Sequence, residues 1–206
     1  NKQFALKKDP KSYPGFEIRN IKSNNLLWTG KGKNTTPLFT KEELLAKNGK
    51  FNDNQMSTAL VVKYGKFKYY AGGYDIEPPM APLVGKVSAM SLNHHSNRDA
   101  TNRNFLDVLD PKVVVAQSWS PDHPGPEVGQ RLLSGNVGTQ KREIFMTYYH
   151  EETGIGIGPW FSRGVKAKEG HIVIRVYPDG KYDVYVLDSR KSNMTIVKKF
   201  GPYVSE

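Results

Sequence analysis

The sequence contains no cysteine among its 206 residues. That absence excludes a disulfide framework and any thiolate-ligated metal, so a metal site here would have to rest on histidine and carboxylate. No apolar run approaches the roughly 18 residues that a transmembrane helix requires, and no membrane span is expected. The start of the chain lacks a signal-peptide pattern, which fits a cytoplasmic protein or a mature exported one. Acidic residues are in the minority, with 20 Asp and Glu against 30 Lys and Arg and a net charge of +10. Such an excess favours anionic partners, among them phosphoesters and nucleic acid. The lysines are scattered, however, as at Lys7, Lys22, Lys63, Lys66, Lys68, Lys141 and Lys198, and form no block. The length suggests one domain over residues 1–206.

What is present is an alternation of strand and helix signals. Phe16 to Ile21 and Leu26 to Trp28 read as strands, and residues 29–36 as a polar loop. Thr40 with Glu43 three residues on predicts a capping box, with Gly49 at the helix exit. Thr58 to Tyr64 and Lys66 to Tyr70, parted by Gly65, predict a hairpin. Lys86 to Leu92 and the β-branched run Val113 to Gln117 predict buried strands. Asp99 to Leu109 predicts a helix stopped by Pro111, and Pro124 and Pro126 open another whose apolar face is Val128, Leu132 and Leu133. Further on, Glu143 to Tyr148, His171 to Tyr177 and Lys181 to Leu187 read as strands, with residues 154–164 as an extended glycine-rich loop. This order implies a layered α/β fold.

Polar residues with chemical potential gather where these strands stop. Asp75 follows Gly72 and Gly73, either as a metal-binding carboxylate or as part of a turn. His94 and His95 follow an apolar strand; on an extended backbone they would point in opposite directions, so one could coordinate while the other binds substrate or orients a neighbour. A hydrogen-bonded structural role is the alternative for both. His123 lies in Ser-Pro-Asp-His-Pro-Gly-Pro, a stiff loop before a helix, where it would either meet substrate or cap the helix. His150 reads as a surface residue and His171 as a strand residue.

In that order the segments STALVVKYGKFKYYAGGYDIE, SLNHHSN, NFLDVLDPK and HPGPEV resemble the C-terminal half of a metallo-β-lactamase-fold hydrolase. The similarity runs from about Phe16 to Asp188. It is to the branch containing the hydrolase domain of bacterial DNA-uptake competence proteins and the choline-phosphate esterases. It implies the C-terminal half of an αββα sandwich and two divalent metal ions, zinc or alternatively manganese. Asp75 would bridge the metals, His94 or His95 would ligate one of them, and His123, the candidate catalytic residue, would either stand behind a metal ligand or meet a substrate phosphate. His95 and Asn54 would be substrate-binding. Tyr74 between the glycines and Asp75, and Ser96 where the family carries glycine, depart from its pattern. The family's His-x-His-x-Asp-His motif is not in this sequence. The implied activity is phosphoester hydrolysis, completed by an N-terminal half or a second copy of the chain. The alternative is a non-catalytic module that binds anions, nucleic acid or a protein partner.

Overall fold

The structure is a computed structural model that describes residues 3–4, 11, 13–45, 53–74 and 77–206. A ten-stranded sheet carries most of the chain. Its antiparallel part comprises β1 (Gln3–Phe4), β2 (Glu17–Ser23), β3 (Leu26–Trp28), β4 (Thr35–Pro37), β5 (Ala59–Tyr64) and β6 (Phe67–Ala71). The last two form the predicted hairpin, in register from Leu60↔Ala71 to Tyr64↔Phe67. Between β4 and β5 lies α1 (Lys41–Leu45), whose capping box closes as expected: Glu43 N donates to Thr40 Oγ1 at 3.2 Å, and Thr40 N to the Glu43 carboxylate at 2.8 Å. The predicted exit at Gly49 lies outside the described residues.

From β6 onward the sheet is parallel. Each next strand lies beside the last and is reached through helix: α2 (Glu77–Val84), β7 (Ala89–Ser91), α3 (Arg103–Leu109), β8 (Val113–Ala116), α4 (Pro126–Leu133), β9 (Glu143–Met146), α5 (Glu151–Ile157), α6 (Pro159–Gly164) and β10 (Val165–Ala167). A second sheet, β11 (His171–Val176), β12 (Lys181–Leu187) and β13 (Ile196–Val204), is antiparallel throughout.

The period-two rule of strands divides β8 between two cores. Val114 and Ala116 face Phe105, Leu106, Val128 and Phe161 of the helices, whereas Val113 and Val115 face Tyr182, Val184 and Val186 of the second sheet. The layers therefore run helices, large sheet, small sheet. A run of four buried residues on β8 follows, because both of its faces are covered.

Several expectations are corrected. Residues 154–164 are not an extended loop but α5 and α6, separated by Gly158 at φ 102°, a conformation that suits glycine. Thr35 and Thr36, expected in a loop, pair with β3. The helix expected from Asp99 starts at Arg103, because Asn102 caps it by accepting from Phe105 N at 2.9 Å. Helix α2 and strand β13 had no counterpart among the expectations.

Candidate functional site

Parallel strands deliver their C-terminal ends to one edge of the sheet, where the following loops can build a site. Here those loops are Gly72 to Tyr74 after β6, residues 93–102 after β7 and residues 117–125 after β8. They bring His94, His95 and His123 together, with ring centroids 6.5 Å apart between the first two and 6.0 Å between His95 and His123. The His94 N–H donates to Gly73 O at 2.9 Å, and the Tyr74 ring stands edge-on to His94 at 4.6 Å.

The backbone at the histidine pair is not extended. His94 (φ 47°), His95 (φ 54°) and Ser96 (φ 71°) are consecutive left-handed residues, so the expected opposite orientation of the two rings does not apply. Left-handed geometry costs a non-glycine residue on the order of 1–2 kcal/mol, and strain of this kind concentrates at functional sites.

The two rings are anchored through the same atom. His94 Nδ1 lies 2.9 Å from Asp99 Oδ1, and His95 Nδ1 lies 2.8 Å from the Gln117 carbonyl. A carbonyl can only accept, so the His95 proton sits on Nδ1 and the neutral ring keeps its lone pair on Nε2. An ionised Asp99 imposes the same tautomer on His94. His123 differs: its side chain is 13% exposed, and its buried Nδ1 has no hydrogen-bond partner among the described residues. Burial holds the His123 imidazole below its ordinary pKa, against the opposing charge of Asp122. The buried Ser96 hydroxyl likewise has no partner among the described residues.

A buried carboxylate that sequence reasoning missed holds this loop in place. Glu77, at the start of α2, accepts from Asn93 Nδ2 at 2.9 Å, Thr101 N at 2.5 Å and Asn102 N at 2.6 Å, while Tyr70 donates to Asn93 Oδ1 at 3.1 Å. Burial raises its pKa despite those bonds. From α4, Arg131 donates to the carbonyls of Arg98 and Thr101 at 3.0 and 2.8 Å. Gly125 N donates to Ser96 O at 2.9 Å, and a Cβ at Gly125 would stand 2.9 Å from Arg98 N, so only glycine lets the His123 loop approach this closely. The only cue in the sequence was that Glu77 stands just ahead of two prolines, which are tolerated in a first helical turn.

Of the other candidates, Asp75 lies outside the described residues. Asn54, in a short 3-10 helix, is exposed; its carbonyl accepts from the Ser57 hydroxyl at 2.6 Å, which in turn accepts from Tyr74 N at 3.2 Å. It thus supports the Gly-Gly turn from behind. The fully buried Lys22 donates to Ser57 O at 2.5 Å in the same place. His150 is only half-buried, and its ring caps α5 by accepting from Glu152 N at 3.2 Å. His171 is exposed on β11.

The anchored Nδ1 atoms of His94 and His95 are what metal-binding imidazoles require of their second nitrogen. The number of ligands falls short: among the described residues no group of three or more His, Asp or Glu is arranged to hold a metal ion. Among those residues no helix is long and apolar enough to cross a membrane. Compared with known proteins, the chain matches no family model and no curated relative.

Proposed function

We propose that this chain is a metal-dependent hydrolase of the metallo-β-lactamase fold acting on a phosphoester. One observation carries the reading: two neighbouring imidazoles on a left-handed backbone have Nδ1 committed to fixed acceptors, so each offers Nε2 as an electron pair beside His123, whose Nδ1 has no hydrogen-bond partner among the described residues. The helix–sheet–sheet layering supports it as well, being three consecutive layers of an αββα sandwich.

Divalent ions, zinc or manganese, would supply a hydroxide nucleophile and polarise the phosphoryl oxygen. His94 or His95 would contribute one ligand, and Asp75 is the candidate bridging carboxylate. No His-x-His-x-Asp-His motif is encoded in this chain, so the ligand set would be completed by another segment or polypeptide. Within the chain, Asp99 and Gln117 fix the tautomers, and Glu77 fixes the loop. His123, mostly neutral near pH 7 because burial lowers its pKa, would donate a hydrogen bond to a phosphoryl oxygen. The net charge of +10 favours such a substrate.

Elemental analysis after zinc or manganese loading, with turnover of bis(p-nitrophenyl) phosphate, tests the proposal. About two ions per site are expected, and Asp99→Ala should weaken metal affinity by roughly 10- to 100-fold by freeing His94. The shortfall of ligands favours the rival reading, a non-catalytic module for anions, nucleic acid or a protein partner. A chain that retains no metal, and whose His94→Ala and His95→Ala variants behave as the parent does, would decide for that rival.

A further inference from the structure

At the opposite, N-terminal edge of the parallel strands lies a cleft of about 610 Å³. Its size is that of small-molecule sites. The β5–β6 hairpin, the segment before β7, the segment before β8, and the second sheet's Tyr182 and Tyr203 enclose it. Its lining includes five lysines, Lys63, Lys66, Lys68, Lys86 and Lys112, and two acidic residues, Asp110 and Glu206.

Those charges are unequally satisfied. Lys86 lies 3.9 Å from Asp110 and 4.0 Å from Glu206, and Lys112 lies 3.7 Å from Glu143. Asp110 is already engaged: it accepts from the Thr139 hydroxyl at 2.5 Å and from Gln140 N at 3.0 Å, and pairs with Arg142 at 3.4 Å. Lys63, Lys66 and Lys68 form no salt bridge among the described residues. Glu17, the cross-strand neighbour of Lys63 on β2, is occupied by Arg19 at 2.8 Å.

The pairing register adds a second, independent observation. Lys63 and Lys68 are direct cross-strand partners in the hairpin, an arrangement of like charges that destabilises a sheet. Lys68 is half-buried, donates to Val84 O and approaches Gly85 closely enough that a Cβ there would meet its Nζ at 3.7 Å. Burial first, then the charge of Lys63, pushes its pKa down. An anion is the ligand that would relieve both penalties.

We infer that this cleft binds a multiply phosphorylated small molecule, its phosphates on Lys63, Lys66, Lys68 and Lys86 and its body against Tyr203. The cleft gathers these lysines into one concave site bordered by Tyr182 and Tyr203 of the second sheet. A nucleic-acid strand would need the charge to continue as a track. The cleft and the histidine site occupy opposite ends of the same strands, so this inference does not depend on the hydrolase reading.

Calorimetric titration with inorganic tripolyphosphate and with ATP tests it. One ligand per chain is expected, with ATP binding more tightly than tripolyphosphate if the body contacts Tyr203. The exposed-site variant Lys66→Glu should weaken both by at least about tenfold, as expected for a close charge reversal that salt also screens. Lys41→Glu, an equal charge change on α1, should leave affinity unchanged, with circular dichroism confirming the fold of each variant. Equal losses in Lys66→Glu and Lys41→Glu would overturn the inference in favour of diffuse attraction. No binding of either probe would overturn it, as would binding only to single-stranded DNA that strengthens with length.

Discussion

The two ends of the parallel strands β6 to β9 hold unfavourable free energy of different kinds. At the C-terminal end it is conformational: three consecutive left-handed residues, His94 to Ser96, are held by hydrogen bonds from neighbouring loops. At the N-terminal end it is electrostatic: Lys63 faces Lys68 across a hairpin with no acid paired to either among the described residues. The difference teaches what each end can bind. Imidazoles with fixed tautomers are completed by an electron-pair acceptor, whereas crowded ammonium groups are relieved by an anion. Each end also has an internal anchor that keeps its arrangement from relaxing, Glu77 at the first and the Asp110–Arg142 pair at the second.

The anchor at the lysine end should matter most to stability. Asp110 and Arg142 side chains are 2% and 1% exposed. Removing one member of a buried pair leaves an uncompensated charge, at a cost of about 3–5 kcal/mol. Asp110→Ala should show this loss in urea denaturation while His94, His95 and His123 keep their NMR signals. Burial alone would raise the Asp110 pKa, but the Thr139 hydroxyl, the amides of Gln140 and Thr139, and then Arg142 bring it below the ordinary value. Its contribution is therefore present above the unfolded value of about 3.9 and is lost as pH falls through the folded one. A loss under about 1 kcal/mol would mean that water reaches the pair, and the comparison between a rigid and a crowded end would fail.

The anchor at the histidine end is next. Glu77→Gln preserves volume but replaces one acceptor oxygen by an amino group, which would face the Thr101 or Asn102 N–H instead of accepting from it. An unsatisfied buried donor costs about 1–3 kcal/mol. The same variant should shift the His94 and His95 resonances, because the loop loses one of the three bonds that tie it to α2, and leave tripolyphosphate affinity alone. Since burial raises the Glu77 pKa, the wild-type carboxyl favours the folded state most below its unfolded value of about 4.3, and this advantage is lost as pH rises through the folded value. The glutamine variant should lack that dependence. Unchanged histidine spectra would show that the left-handed loop holds itself without Glu77.

How much of this was legible depended on the range over which each feature is determined. The α1 capping box, the β5–β6 hairpin and the doubly buried β8 are set by residues within a few positions of one another, and all three stand where local pattern put them. Helix α2 was hidden by Pro78, Pro79 and Pro82, yet the first two fall in its opening turn, where the missing N–H has no helical partner to lose. The glycines at 154, 156, 158 and 164 looked like a loop, although only Gly158 breaks the helix. At the site, three histidines at strand ends could be named from the sequence. Their left-handed backbone, and the carboxylate of Glu77 behind it, arise from contacts across loops that no local pattern encodes.

The finest distinction between the two ends is in pH response. Burial lowers the His123 pKa, His95 and His94 add to the effect, and Asp122 opposes it. Between the folded value and the unfolded value of about 6.5, the unfolded chain binds more protons at this position, so stability rises with pH. The contribution is present above about pH 6.5 and is lost as pH falls through the folded value. One group can account for a slope of at most about 1.4 kcal/mol per pH unit. His123→Gln should therefore flatten the stability profile between about pH 5 and 7 by less than that, as read from denaturation midpoints. Superimposable profiles would show that His123 is solvated. Lys68 is also lowered by burial, but it is present in both proteins and lies at the opposite edge from the substitution. A difference between the profiles in that range consequently belongs to the histidine end alone.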